Sequence, residues 1–179
     1  MDANVLRDFE TAQMNALLRL CTEFGYANGT LLNSEDIDNK WDEMAAEYIA
    51  DAVSQIAEYP LVSLAWAAYL GMAVANGWDG NWDETAKAGY KSYYGDRGFD
   101  DMDDHIVRDI LRIPLASKAS QELTEMVFRL AELTNKNLRA HFAPQTNEAF
   151  QGFARACKLM YRMGASIELK RLGYKFERI

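Results

Sequence analysis

The stretch "PLVSLAWAAYLGMAVANGW", Pro60 to Trp78, constrains this chain more than any other. From Leu61 to Ala75 its only polar side chain is that of Ser63. A helix that is apolar on every side has to be surrounded by other elements or by lipid. The run Leu61–Ala75 falls short of the roughly 18–20 residues needed to cross a bilayer, and its flanking charges are Glu58 and Asp79 rather than Lys or Arg. The expectation is a soluble protein with this helix as its central post. Pro60 at its start and Gly77 just past its end follow the usual asymmetry of helix termini. A length of 179 residues suits one domain. The prediction is an all-α, single-domain bundle (1–179) of six to seven helices around a buried helix over 61–76.

Helical periodicity supports this nearly throughout. A first helix over 4–24 carries Val5, Phe9, Ala12, Ala16, Leu20 and Phe24 on one face, with Gly25 placed to end it. A second begins after Ser34 with Glu35, Asp36 and Asp38 in its first turn, where the dipole favours acids. It shows Trp41, Met44, Ala45, Tyr48, Ala52 and Ile56. A shorter helix is expected over 82–93, and a fifth from Asp100 to Ile113 with Met102, Ile106, Ile110 and Ile113 facing inward. A sixth over 115–142 has Leu123, Val127, Leu130, Thr134, Asn137 and His141 on one stripe. A seventh over 145–172 uses Phe150, Phe153, Cys157, Met160, Gly164 and Ile167. Residues 174–179, "YKFERI", read as a short extended tail.

Net charge is −8, unevenly distributed. Residues 1–107 hold 20 acids against 6 Lys and Arg, whereas residues 108–179 hold 7 against 13. The acidic front repels nucleic acid and anionic membranes, so neither is expected as a partner, and it favours cations and basic surfaces. The basic back can pair with it, within one molecule or between copies. Cys21 and Cys157 are far apart, lie in apolar patterns and match no metal spacing. Reduced thiols and an acidic, non-signal start lead to a cytoplasmic expectation.

Three stretches invite chemistry. In "GWDGNWDE", Asp79, Asn81 and Asp83 have the opening spacing of a calcium loop. Glu84 stands where such a loop turns on glycine, and Tyr90 where its last glutamate belongs. Helix punctuation explains the same letters, with Asn81 or Asp83 as cap and Glu84 in the first turn. "LAWAAYLGMAVANG" followed by "NWDETAKAGY" resembles a single tetratricopeptide repeat, without a second copy.

"FDDMDDHIVRDILR" resembles, over about ten residues, the aspartate-rich motif of the all-helical prenyl diphosphate synthases. That resemblance implies a magnesium site at Asp100, Asp101 and Asp104 holding a diphosphate, but the second acidic motif of those enzymes is missing. Four acids opening a helix also complement its dipole without any ligand. His105 is expected to pair with Asp101, and His141 to sit in the core satisfied by a hydrogen bond.

The third stretch combines the rings of Trp78, Trp82, Tyr90, Tyr93, Tyr94 and Phe99 with Asp79, Asp83, Glu84 and Asp96. Rings with polar handles beside carboxylates suit contact with a basic peptide, an amine or a second subunit. The same rings also suit packing of an irregular joint. Arg155, Lys158 and Arg162 form a basic stripe on the last helix, best placed to meet the acidic half in self-association. The sequence thus points to a non-enzymatic interaction protein using residues 78–99, with a protein or basic peptide partner or self-association, and no cofactor. The alternative is a metal-dependent enzyme acting on a phosphorylated substrate at 100–104.

Overall fold

The structure, a computed structural model, describes residues 3–54 and 59–175. Seven α-helices and no strand occur among them: α1 (Ala3–Glu23), α2 (Glu35–Val53), α3 (Pro60–Gly80), α4 (Trp82–Lys87), α5 (Met102–His105), α6 (Lys118–His141) and α7 (Asn147–Arg171). The chain is an all-α bundle built on a buried central helix, as the apolar run predicts. Ile56 and most of the expected tail lie outside the described residues.

Every residue of α3 from Ser63 to Ala75 is buried. At 21 residues this helix is longer than the apolar run suggested, long and apolar enough to cross a membrane by length and composition. Yet 72% of its most apolar window is covered by the protein itself. Gly77 does not end the helix. It lies inside it, where the lack of a side chain leaves room for Thr85 of α4.

A second internal helix accompanies the first. In α7 every residue from Leu159 to Leu169 except Arg162 is buried, and α3 packs against α7 more extensively than against any other element. Their contact is backbone on backbone. A methyl group on Gly71 would sit inside the Tyr161 carbonyl, and one on Gly164 inside that of Ala68. Two glycines facing across a helix pair permit the close approach that larger residues prevent.

The remaining helices wrap this pair, and buried hydroxyls and ring N–H groups fix how they sit. Tyr161 Oη donates to the Ile37 carbonyl (2.6 Å), tying α7 to α2. Tyr48 Oη donates to the Ser63 carbonyl (3.1 Å), tying α2 to α3. Leu32 N donates to Ser166 Oγ (2.9 Å), holding the α1–α2 loop on α7. On α1 the buried face is Leu6, Phe9, Gln13, Leu17 and Cys21, one position round from the expected stripe, and Val5, Ala12 and Phe24 are exposed. The rotation follows from a polar residue: Gln13 Nε2 donates to Thr134 Oγ1 (2.9 Å) and Gln13 Oε1 accepts from Asn137 (2.5 Å) on α6. Lys40 is buried as well. Its ammonium donates to the carbonyls of Ala86 (3.0 Å) and Ala88 (2.7 Å) and pairs with Glu43 (3.1 Å), closing the C-terminal end of α4.

Candidate functional site

The aromatic middle segment is built as a joint. Its helix is short: α4 stops at Lys87, and a 3-10 turn at Tyr90–Tyr93 replaces the expected continuation. Tyr90, Tyr93 and Phe99 are buried in the core. The Phe99 carbonyl accepts from Trp66 Nε1 (2.8 Å), and its ring meets Tyr48 edge to face. Trp78, Trp82 and Tyr94 are half-buried. The Tyr90 and Tyr94 hydroxyls both donate to Asp51 Oδ2 (2.8 and 2.5 Å). Burial, then the bond to Asp51, pushes both phenols up, Tyr94 to about 12. Trp78 donates to Asp36 (3.3 Å) and its ring meets that of Tyr174 at a tilt of 57°, and the Tyr174 hydroxyl donates to Asp79 (2.8 Å). Asn81 accepts from Glu84 N (3.2 Å) as the cap of α4. The letters of "GWDGNWDE" are thus used as helix punctuation and ring packing.

The aspartate-rich stretch is spread over three short pieces: a 3-10 turn (Phe99–Asp101), α5, and a π-helical turn (Ile106–Ile110). Asp101 accepts from Arg97 N (2.9 and 3.2 Å), closing the Gly95–Gly98 turn, whereas Asp100 and Asp104 are exposed. No three His, Cys, Asp or Glu side chains converge among the described residues. His105 pairs with Asp109 (2.9 Å), not Asp101, because Asp101 is held by the turn. Arg108 shares Asp109 and, with His105, holds its carboxyl down at about 2. Asp103 is half-buried, and burial first, then the neighbouring Asp104, pushes it up to about 6. His141 is exposed rather than in the core, with Nδ1 against the Asn137 carbonyl (2.8 Å). Burial pushes the Cys21 thiol up to about 12 and raises that of Cys157.

The basic stripe meets the acidic half within one chain. Arg155 pairs with Glu10 (2.6 Å), Lys158 with Asp42 (3.8 Å) and Arg162 with Asp38 (3.4 Å). Near the end of α7, Arg171 clasps the buried Glu168 (2.5 and 2.8 Å), which also accepts from Asn76 (2.9 Å).

Among the described residues three openings into the bundle stand out, and none of these is lined by a ring of the 78–99 segment. Two adjoin one another at Tyr26 and Glu122, with volumes of about 280 and 310 Å³. Their charged groups are largely engaged: Arg171 on Glu168, Lys170 on the Gly25 carbonyl, and Arg129 over the Phe24 ring. The third, about 480 Å³, is a groove between the end of α2, the start of α3 and the α6–α7 corner. Leu64, Phe142 and Phe153 form its buried floor, and Val53, Leu138 and Phe150 its partly open walls.

Local sequence builds this groove. Phe142 ends α6, and its ring lies over Gly152, where a methyl group would come within 2.5 Å of it. Thr146 caps α7 by accepting from Ala149 N (3.1 Å). Gln145 has φ of +62°, a left-handed conformation uncommon outside glycine and asparagine. Val53 and Phe150 remain 38% and 50% exposed, though sequence periodicity places Phe150 on the inner face of its helix. The available signal was the corner "LRAHFAPQTNEAFQGF", with apolar residues at helical spacing on both sides of Pro144.

No protein-family model, curated protein sequence or solved structure matches this chain.

Proposed function

We propose that this chain is a non-enzymatic binding protein whose site is the apolar groove at the α6–α7 corner. One observation carries the proposal: large apolar side chains stand partly open around a concave space of about 480 Å³ with a buried apolar floor. That volume lies in the range of small-molecule sites, which are mostly apolar with a few polar groups. The non-catalytic reading draws support from the titratable groups: both cysteines are buried, and each histidine is at or near the surface with a local partner.

The test is titration with N-phenyl-1-naphthylamine, a dye that fluoresces in apolar surroundings. Saturable one-to-one binding is expected, lost in Val53→Asp and Phe150→Asp and retained in Tyr94→Phe. Dye binding that ignores both groove variants would refute the assignment.

A second reading keeps the acidic, aromatic face for a basic partner. It is favoured by half-buried Trp78 and Tyr94, which stand against Asp36 and Asp51. A lysine-rich peptide would then bind with an affinity that falls as salt rises, and absence of such binding removes this reading.

A further inference from the structure

We infer that the ligand of the groove is an amphiphile with one carboxylate head, held beside Arg139, an inference that rests on the groove being the binding site. The chain carries 27 acidic residues, yet among the described residues no Asp or Glu lines the groove and Arg139 is the sole charged lining residue. Its other polar lining side chains are Asn135, Gln145 and Thr146. Thr146 is committed, donating to the Ala143 carbonyl (2.7 Å) and accepting from Ala149 N. Arg139, Asn135 and Gln145 make no side-chain hydrogen bond or ion pair among the described residues, so their donors are available.

Helix ends add to this sign. Pro60, the first residue of α3, and Thr146, the cap of α7, both line the groove. Helices of 21 and 25 residues therefore bring the positive ends of their dipoles to it, and among the described residues no side chain caps α3. The C-terminal end of α6 opposes them with partial negative charge, which Arg139 in its last turn offsets. Glu148, in the first turn of α7, is exposed and does not line the groove.

The floor of Leu64, Phe142 and Phe153 offers the tail nothing to hydrogen-bond. An apolar tail with an acceptor head satisfies both halves of the lining. A neutral hydrocarbon leaves the arginine unused, and a cation would meet it with like charge.

The experiment is displacement of the naphthylamine dye by decanoate and by decanol, each below its micelle concentration, in the wild type, Arg139→Gln and Phe150→Asp. Circular dichroism confirms that each variant is folded. Decanoate is expected to displace the dye and to bind about tenfold more weakly to Arg139→Gln, the scale of one charge-assisted hydrogen bond. Decanol should bind the wild type and Arg139→Gln alike. Tightening from octanoate to decanoate should approach about fourfold per methylene.

Equal binding of decanol and decanoate, or equal loss of both in Arg139→Gln, overturns the carboxylate assignment and leaves the groove in place. If neither displaces the dye, or the dye does not bind, the groove reading falls with it. A concentration-dependent dimer that Phe150→Asp dissociates would make a second copy the occupant and overturn the inference. Co-sedimentation with anionic vesicles through Arg139, without decanoate binding, would overturn it in favour of a membrane surface.

Discussion

Replacing Gly71 with alanine tests the backbone contact at the centre of the fold. On an isolated helix the change is favourable by about 1 kcal/mol. Here the added methyl would lie 2.8 Å from the Tyr161 carbonyl carbon and 3.0 Å from Ala165 N, and closer still to the Tyr161 oxygen. These are backbone atoms inside a buried helix, so no side chain can rotate away. Relief requires α3 and α7 to separate, and a gap of about 0.5–1 Å forfeits a quarter to a half of the dispersion energy of each facing atom pair. Overpacking of this kind costs about 1–3 kcal/mol and occasionally more. The α3–α7 seam is the most extensive in the protein, which puts Gly71→Ala at the upper end. After the propensity gain the net loss is about 2 kcal/mol. For a chain of this size that lowers Tm by roughly 4–8 °C. Gly80→Ala, on the same helix with nothing within 4 Å of the added methyl, is the control and should leave Tm unchanged or slightly raised. Thermal unfolding by circular dichroism reads both. A Gly71→Ala protein as stable as Gly80→Ala would refute the close approach of the two internal helices.

Asp103→Asn should stabilise the protein at pH 7. The carboxyl is raised to about 6 in the fold, so its favourable contribution is complete below the unfolded value and is lost as pH rises through about 6. Discounted for partial exposure, the gain is about 1–2 kcal/mol at pH 7 and vanishes near pH 4, as urea unfolding at the two pH values would show. Lys40→Met keeps the buried stem but leaves the Ala86 and Ala88 carbonyls without their donor, at a cost of about 1–3 kcal/mol in urea unfolding. Because the basic stripe of α7 is paired within the chain, molecular mass by light scattering should be the same at low ionic strength and near 1 M salt, where the screening length is about 3 Å.

The sequence made the helices legible wherever apolar spacing was unambiguous. Met44, Tyr48, Val127 and Leu130 sit where their periodicity puts them, and the run after Pro60 is enclosed as its composition demands. Legibility failed where polar residues go inside. On α1, Gln13 is buried by its bonds to Thr134 and Asn137, which no apolar template registers, so the inward face was read one residue out of place. On α7, Arg162 and Glu168 gave an interior helix the look of an amphipathic one. The segment 82–113 was harder still. Its 3-10 and π-helical turns follow neither the α-helical nor the strand period, and Asp101 there serves the Arg97 backbone instead of its own helix. The groove was invisible for a related reason: it exists only where α2, α3, α6 and α7 meet, and no single stretch contains it.

The charge asymmetry along the chain acquires a structural meaning from these contacts. As numbering rises from Lys158 to Arg162 along α7, its partners on α2 descend from Asp42 to Asp38, as two antiparallel helices require. Partly exposed pairs of this kind contribute only about 0–1 kcal/mol each, so the stripe does little to hold the bundle shut. The pairs lie on the face of α7 turned to α1 and α2, while Gly164 meets Ala68 of α3 and Gly152 lies beneath Phe142. The acidic front and basic back of the sequence thus meet along the helix whose first turns form one wall of the groove. Arg139, on a different helix, takes no part in that pairing and keeps its charge for whatever enters there.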